Sequence, residues 1–185
     1  MRVTGGKDRS RRLKVPSGIR PSQDRVREAV FSMLGDAVLE ARVLDLFAGS
    51  GAYGLECLSR GAASVIWVEQ NPRVFRMLSD NVAAIHGEDL ASAGCRRMDV
   101  ARACRKGGLA GPFDLVFVDP PYKDAVTWRG KTLSGLREGG MLHSDGLGLF
   151  EQSAEDPAEA EPGWDLVKDR TYGQTRMILF APSAD

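Results

Sequence analysis

Four consecutive residues, Asp119-Pro120-Pro121-Tyr122, combine an acceptor, a stiff backbone and a flat ring. They follow an apolar run over 113–118 (Phe-Asp-Leu-Val-Phe-Val), which reads as a buried strand. An ionised carboxylate only accepts hydrogen bonds, and successive prolines carry no N–H. Asp119 Oδ and the Pro120 carbonyl therefore suit a planar group with two N–H bonds, such as the exocyclic amine of a nucleobase. That amine is a weak nucleophile because its lone pair is delocalised into the ring. Fixing both protons draws the lone pair out of plane, and Tyr122 offers a face on which an extruded base can stack. The bland alternative is a stiff turn after a strand.

A second stretch, Val43-Leu44-Asp45-Leu46-Phe47-Ala48-Gly49-Ser50-Gly51, reads as a strand running into a cofactor loop. Gly49-Ser50-Gly51-Ala52-Tyr53-Gly54 matches GxGxxG, a pattern shared with dinucleotide enzymes. Glu69 ends the next apolar run, where an acid can accept from both hydroxyls of a ribose. Asp45 separates the readings. A pyrophosphate disfavours a carboxylate beside its loop, whereas S-adenosylmethionine carries a sulfonium and an ammonium. Asp99 could accept from an adenine amine or simply cap a turn. The two stretches together point to methyl transfer from S-adenosylmethionine to a nucleobase nitrogen.

The elements that must position these groups alternate. A helix is expected over 23–34, capped by Ser22, with Val26, Val30, Phe31 and Leu34 as its core stripe. Strands follow at 43–47, 65–69, 95–99, 113–118 and 147–150, with helices over 52–60, from Pro72, and over 125–137. Asn71-Pro72 opens the second of these helices, and Gly61 and Gly139-Gly140 end the other two. Residues 164–168 and 176–180 read as a closing strand pair around Tyr172-Gly173, and the acid-rich stretch 151–162 as an exposed loop. This is an α/β domain with a mostly parallel sheet, whose ligands bind beyond the strands' carboxyl ends. Asp45, Gly49, Glu69, Asp99 and Asp119 all fall near such ends.

Composition narrows the class. A chain of 185 residues suits one domain. No apolar run is long enough to span a bilayer, and the N-terminus lacks a secretory signal's apolar core. Three cysteines without a CxxC and two distant histidines argue against disulfides or a metal site and fit a reducing cytoplasm. The net charge of zero hides an asymmetry: residues 1–27 hold nine Lys/Arg against two Asp/Glu, and the rest 16 against 23. Pro16 and Pro21 break this first stretch, which forms a basic arm or hairpin over 1–21 before a single domain over 22–185. It is a candidate phosphate-backbone footprint or a solvated tail.

The chain resembles the bacterial 16S ribosomal RNA guanine-N2 methyltransferases of the small-subunit methyltransferase D type. The resemblance rests on Gly5-Gly6-Lys7 with Arg11 and Leu13, and on Arg20-Pro21 with Asp24-Arg25-Val26-Arg27-Glu28. It continues through Leu44 to Gly51, Gly54-Leu55-Glu56, Ser59-Arg60-Gly61, Phe117 to Tyr122, and Tyr172-Gly173 with Thr175. It implies a class I S-adenosylmethionine-dependent methyltransferase fold, Rossmann-like, with seven strands and the last antiparallel. It implies that Asp119, Pro120, Pro121 and Tyr122 hold the guanine amine. Asp45, Phe47, Ala48, Gly49, Ser50, Gly51, Glu69, Gln70, Asp99 and Val100 would hold the cofactor, while Lys7, Arg11, Arg12, Arg20 and Arg25 would face RNA. The implied substrate is 16S rRNA or a 30S assembly particle in the cytoplasm, met by a monomer with no membrane partner. Ser22, Tyr53 and the loop 151–162 depart from the family pattern. Competing readings are a DNA adenine-N6 methyltransferase, a nicotinamide oxidoreductase, and a non-catalytic RNA-binding assembly factor.

Overall fold

The computed structural model describes residues 1–15 and 23–184, with no account of the side chains of Gln23, Ser92, Ala93 and Tyr122. The expected cap Ser22, the breakers Pro16 and Pro21, and Arg20 lie outside the described residues. The elements run α1 (Gln23–Leu34), β1 (Arg42–Leu46), α2 (Ala52–Ser59), β2 (Ser64–Val68), α3 (Pro72–His86), α4 (Glu88–Gly94) and β3 (Cys95–Arg96). Then come α5 (Val100–Ala103), β4 (Phe113–Val118), α6 (Ala125–Glu138), β5 (Leu142–Ser153), β6 (Trp164–Tyr172) and β7 (Thr175–Pro182).

The seven strands form one sheet in the order β3-β2-β1-β4-β5-β7-β6. β1, β2, β3, β4 and β5 pair in parallel, and β7 runs antiparallel to both β5 and β6. Chain order reverses beside β1, between β2 and β4, so a crevice opens there at the carboxyl ends. The central strands are buried on both faces, which is why β1 and β4 read as nearly unbroken apolar runs.

Alternation divides the core. Val43, Val65, Trp67, Leu115, Phe117 and Leu149 pack on one side with the buried stripe of α1 and with Leu55, Leu78 and Val82. Leu44, Leu46, Val68, Val116, Val118 and Phe150 pack on the other with Val100, Leu133 and Leu136. Trp67 is fully buried, and removing a side chain of that size costs about 3–5 kcal/mol. Asn71 caps α3 through its side-chain oxygen, which accepts from Arg73 N at 3.0 Å and Val74 N at 3.3 Å.

Two expectations need correction. Residues 151–162 are not all an exposed loop: Glu151, Gln152 and Ser153 extend β5, and the first two are buried. A strand inside the sheet satisfies their backbone through β7, where Glu151 pairs with Met177 and Gln152 with Arg176. The third strand is only two residues long, so Asp99 lies beyond it. The basic arm also packs tightly. Arg2 bridges Arg12 in antiparallel fashion, and Val3 and Leu13 are buried in the domain's own core.

Candidate functional site

The loop after β1 is held open by backbone geometry. Phe47 has φ 56°, a left-handed conformation costly for a side chain with a Cβ. Gly49 and Gly51 also have positive φ, at 56° and 81°. Ala48 N–H donates to Val68 O at 2.9 Å, stitching the loop to β2. Gly54 lets α2 approach the sheet: a Cβ there would lie 2.2 Å from Trp67 Nε1. Its N–H donates to Asp45 Oδ2 at 3.0 Å.

Register brings three carboxylates together. Asp45 sits opposite Phe117, and Val118 opposite Phe150. The next residues on β4 and β5, Asp119 and Glu151, thus share one pleat on strands about 4.8 Å apart. Asp45 projects from the same face, because Phe117 precedes Asp119 by two residues. Two cavities meet at Asp119 and Glu151. The smaller, of about 90 Å³, is lined by Asp45, Phe47, Ala48, Gly49, Ser50, Tyr53, Asp119 and Glu151, with Met1 at its rim. The larger, of about 440 Å³, is lined by Phe47, Gly49, Glu69, Gln70, Val100, Asp119, Pro120, Pro121 and Glu151.

The electrostatics follow from this crowding. Burial pushes the Asp45 carboxyl up to about 8, with Glu69 adding repulsion and the Gly54 N–H offsetting part. Burial, then Glu151 and Asp45, push Asp119 well above the usual carboxylate range. Arg27, a cation in the smaller cavity's wall, is committed to Asp24 at 3.0 Å and to Glu56 at 3.5 Å. Glu69 is half-buried, and its Oε2 accepts from Gly49 N at 3.2 Å and its Oε1 from Asn71 N at 2.8 Å. A carboxylate offers about four acceptor positions, so both oxygens keep capacity for hydroxyls.

Most of the expected residues converge here. Asp45, Phe47 to Gly51, Glu69, Gln70, Val100, Asp119, Pro120 and Pro121 line the cavities or their loop. Asp99 is exposed and caps α5, accepting from Arg102 N at 3.2 Å, so Val100 is the cavity residue of that pair. Tyr122's side chain lies outside the described residues. Lys7, Arg11, Arg12 and Arg25 are exposed on the arm and α1. Arg11 Nη2 donates to Ala84 O at 2.6 Å.

Glu151 is the residue that sequence reasoning missed. It is 5% exposed, and Tyr53 Oη donates to its Oε2 at 2.9 Å. Tyr53 itself stacks on Phe117 with centroids 4.9 Å apart. A usable signal existed: an acid directly after an apolar strand, as with Glu69 and Asp119.

Seven strands in this order, the last reversed, with a glycine loop after β1 and carboxylates at the crevice, define a class I S-adenosylmethionine-dependent methyltransferase. A family model described as "Conserved hypothetical protein 95" matches residues 1–181. Ribosomal RNA small subunit methyltransferase D of Escherichia coli (strain K12) is 34% identical over 187 residues, spanning 100% of this chain and 91% of the relative. Putative rRNA methyltransferase YlbH of Bacillus subtilis (strain 168) is 35% identical over 189 residues, spanning 97% and 98%. The solved structure of the putative methyltransferase yhhF from Escherichia coli superposes with a TM-score of 0.83 at 33% identity, covering 100% of this chain and 99% of that one. The chain belongs to this family, that of the small-subunit methyltransferase D proteins.

Proposed function

We propose that the protein methylates the exocyclic N2 amine of a guanine in small-subunit ribosomal RNA, using S-adenosylmethionine. The observation that carries the reading is Asp119 with its two prolines at the junction of two carboxylate-lined cavities, beside a docked basic arm. The names of the relatives supply the RNA class.

The residues present fit the cofactor. Asp45 lines the smaller cavity, where the neighbouring Arg27 is already paired with Asp24 and Glu56; once ionised, it suits a sulfonium or an ammonium and disfavours a pyrophosphate. Asp45 and the loop from Phe47 to Gly51 would hold the methionine end, Glu69 the ribose, and Gln70 and Val100 the adenine side. When bound, S-adenosylmethionine supplies an electrophilic methyl group on sulfur. Asp119 Oδ and the Pro120 carbonyl accept the two amine protons and aim the nitrogen lone pair. As a C–N bond formed, the methyl–sulfur bond would break and its electron pair would leave with the neutral thioether, while the nitrogen would gain positive charge and give up one proton. Asp119, with its raised affinity for protons, is placed to take it. Pro121 stiffens this rim, and Tyr122 would stack on the base. Lys7, Arg11, Arg12, Arg20 and Arg25 would meet the phosphates. A monomer acting in the cytoplasm on a 30S assembly particle is part of the same proposal.

Radiolabelled methyl transfer tests it, with small-subunit particles lacking the modification, naked 16S rRNA and duplex DNA offered in parallel. N2-methylguanosine in the rRNA digest is the expected product. N6-methyladenine in DNA would replace the reading with the adenine alternative. Cofactor binding with no transfer to any substrate would favour an assembly factor.

A further inference from the structure

We propose that Glu151 is the specificity-determining residue of the site, reading a ring N–H beside the amine that Asp119 holds, with Tyr53 as its positioning residue. This rests on the guanine reading above and extends it to how guanine is chosen.

The register carries the geometry. Val118 pairs with Phe150, so Asp119 and Glu151 present carboxylates from one pleat on adjacent strands, and both line both cavities. Among the four bases, guanine alone carries a ring donor, N1–H, next to its exocyclic amine. Adenine beside its N6 amine and cytosine beside its N4 amine present bare acceptor nitrogens. Two neighbouring acceptors therefore match guanine's two parallel donors, while a carboxylate facing adenine N1 sets lone pair against lone pair.

The support behind Glu151 is built for an acceptor. Tyr53 Oη donates to Oε2 at 2.9 Å, and the ring is fixed by stacking on Phe117 at 4.9 Å and by Phe31 at 6.4 Å. Burial pushes the tyrosine hydroxyl well above its ordinary pKa, so Tyr53 remains the donor across the working pH range. A carboxylate carries about four acceptor positions, and the Tyr53 hydroxyl takes one of them.

The test compares guanine, 2-aminopurine and adenine at the nucleotide that the wild type methylates, in reconstituted small-subunit RNA. 2-Aminopurine keeps the 2-amine but has a bare N1. The wild type should prefer guanine over 2-aminopurine in kcat/KM by at least about 10³-fold, because a site built around a hydrogen bond rejects the analogue lacking it. Glu151→Gln can donate from its amide to a bare N1, so that preference should fall at least about tenfold. S-adenosylmethionine affinity by calorimetry should stay within about twofold if the residue reads only the base. Tyr53→Phe retains the stack on Phe117, should shift the preference in the same direction by less, and carries the test if Glu151→Gln does not fold.

Unchanged discrimination in both variants, with guanine still methylated, overturns the inference and spares the proposed function. A loss confined to cofactor affinity assigns Glu151 to the cofactor and also overturns it. Absence of guanine methylation by the wild type overturns the proposed function, and this inference with it.

Discussion

Two clusters in this molecule bury carboxylates, and they treat the charge in opposite ways. Glu56 on α2 is fully buried and thoroughly compensated. It accepts from Thr4 N at 2.7 Å, Thr4 Oγ1 at 2.8 Å, Gly5 N at 2.7 Å and Arg60 Nε at 2.8 Å, with Arg27 Nε at 3.5 Å. Asp45, Asp119 and Glu151 crowd one another, with the Gly54 N–H on Asp45 and the Tyr53 hydroxyl on Glu151, and Asp45 and Asp119 are pushed toward their neutral forms. The protein itself neutralises the first charge, and the result is architecture: the arm is bolted to α2. Asp45 and Asp119 are left with raised proton affinity, which costs stability and marks a functional site.

The largest effect should come from removing the acceptor at the crevice. Asp119→Ala should cut kcat by at least about 10³-fold while S-adenosylmethionine affinity stays within a few-fold, in the range seen when one transition-state contact is lost. Single-turnover transfer and calorimetry on the same preparation check this. Unchanged turnover would remove Asp119 from the chemistry and blur the contrast with Glu56.

The anchor should fail differently. Glu56→Gln leaves Arg27 and Arg60 near a neutral amide, and breaking a buried ion pair from one side costs about 3–5 kcal/mol. For a domain of this size each kcal/mol lowers Tm by roughly 2–4 °C, so calorimetry should show a fall of about 6–20 °C. Hydrogen exchange should rise at Thr4 and Gly5, whose N–H groups donate to Glu56 on α2. Loss of activity without loss of stability would mean that the two clusters are one.

Asp45→Asn should move stability and binding in opposite directions. The asparagine oxygen can still accept from Gly54 N, but the carboxyl whose pKa rises from 3.8 to about 8 is gone. The folded state holds that proton after the unfolded chain has released it, so the group's contribution to stability falls as pH rises from about 4 to about 8. The variant should therefore gain Tm, and gain more at pH 8 than at pH 5. Its cofactor affinity should drop about 10–100-fold, as expected for losing a charge-assisted contact. In the wild type, affinity should tighten about tenfold per unit as pH rises toward 8 and flatten above, because the carboxyl must shed its proton to meet a cation. A flat profile would show that Asp45 shapes the loop without sensing the ligand.

These clusters also show what a sequence reveals. The runs ending at Leu46 and Val118, and the cap at Asn71-Pro72, were readable because strand burial and helix capping are local. Asp45 and Asp119 inherited that clarity from the strands carrying them. Glu151 did not, because it opens a stretch of five acids whose composition imitates a solvated loop. Only the pairing of Val118 with Phe150, and of Glu151 with Met177, puts it inside. The Arg27–Glu56 contact spans 29 residues and has no periodic signature at all. The short helices α4 and α5 went unread because neither is long enough to display a stripe.

The smallest effect separates the arm's architecture from its surface. Its buried groups, Val3, Thr4 and Leu13, face the domain, while Lys7, Arg11 and Arg12 are exposed. Neutralising Arg11 and Arg12 together with glutamine should leave Tm nearly unchanged, since Arg11 gives up one exposed hydrogen bond to Ala84 O. It should weaken RNA binding several-fold at low salt and make the slope of log K against log salt shallower by about 1.4–1.8, the counterion equivalent of two phosphates. Filter binding across a salt series measures the slope directly. Parallel lines for variant and wild type would mean that the arm is held in place for its packing alone. A shallower line with full stability would show that the arm's exposed cations meet RNA while its buried groups hold it to the domain.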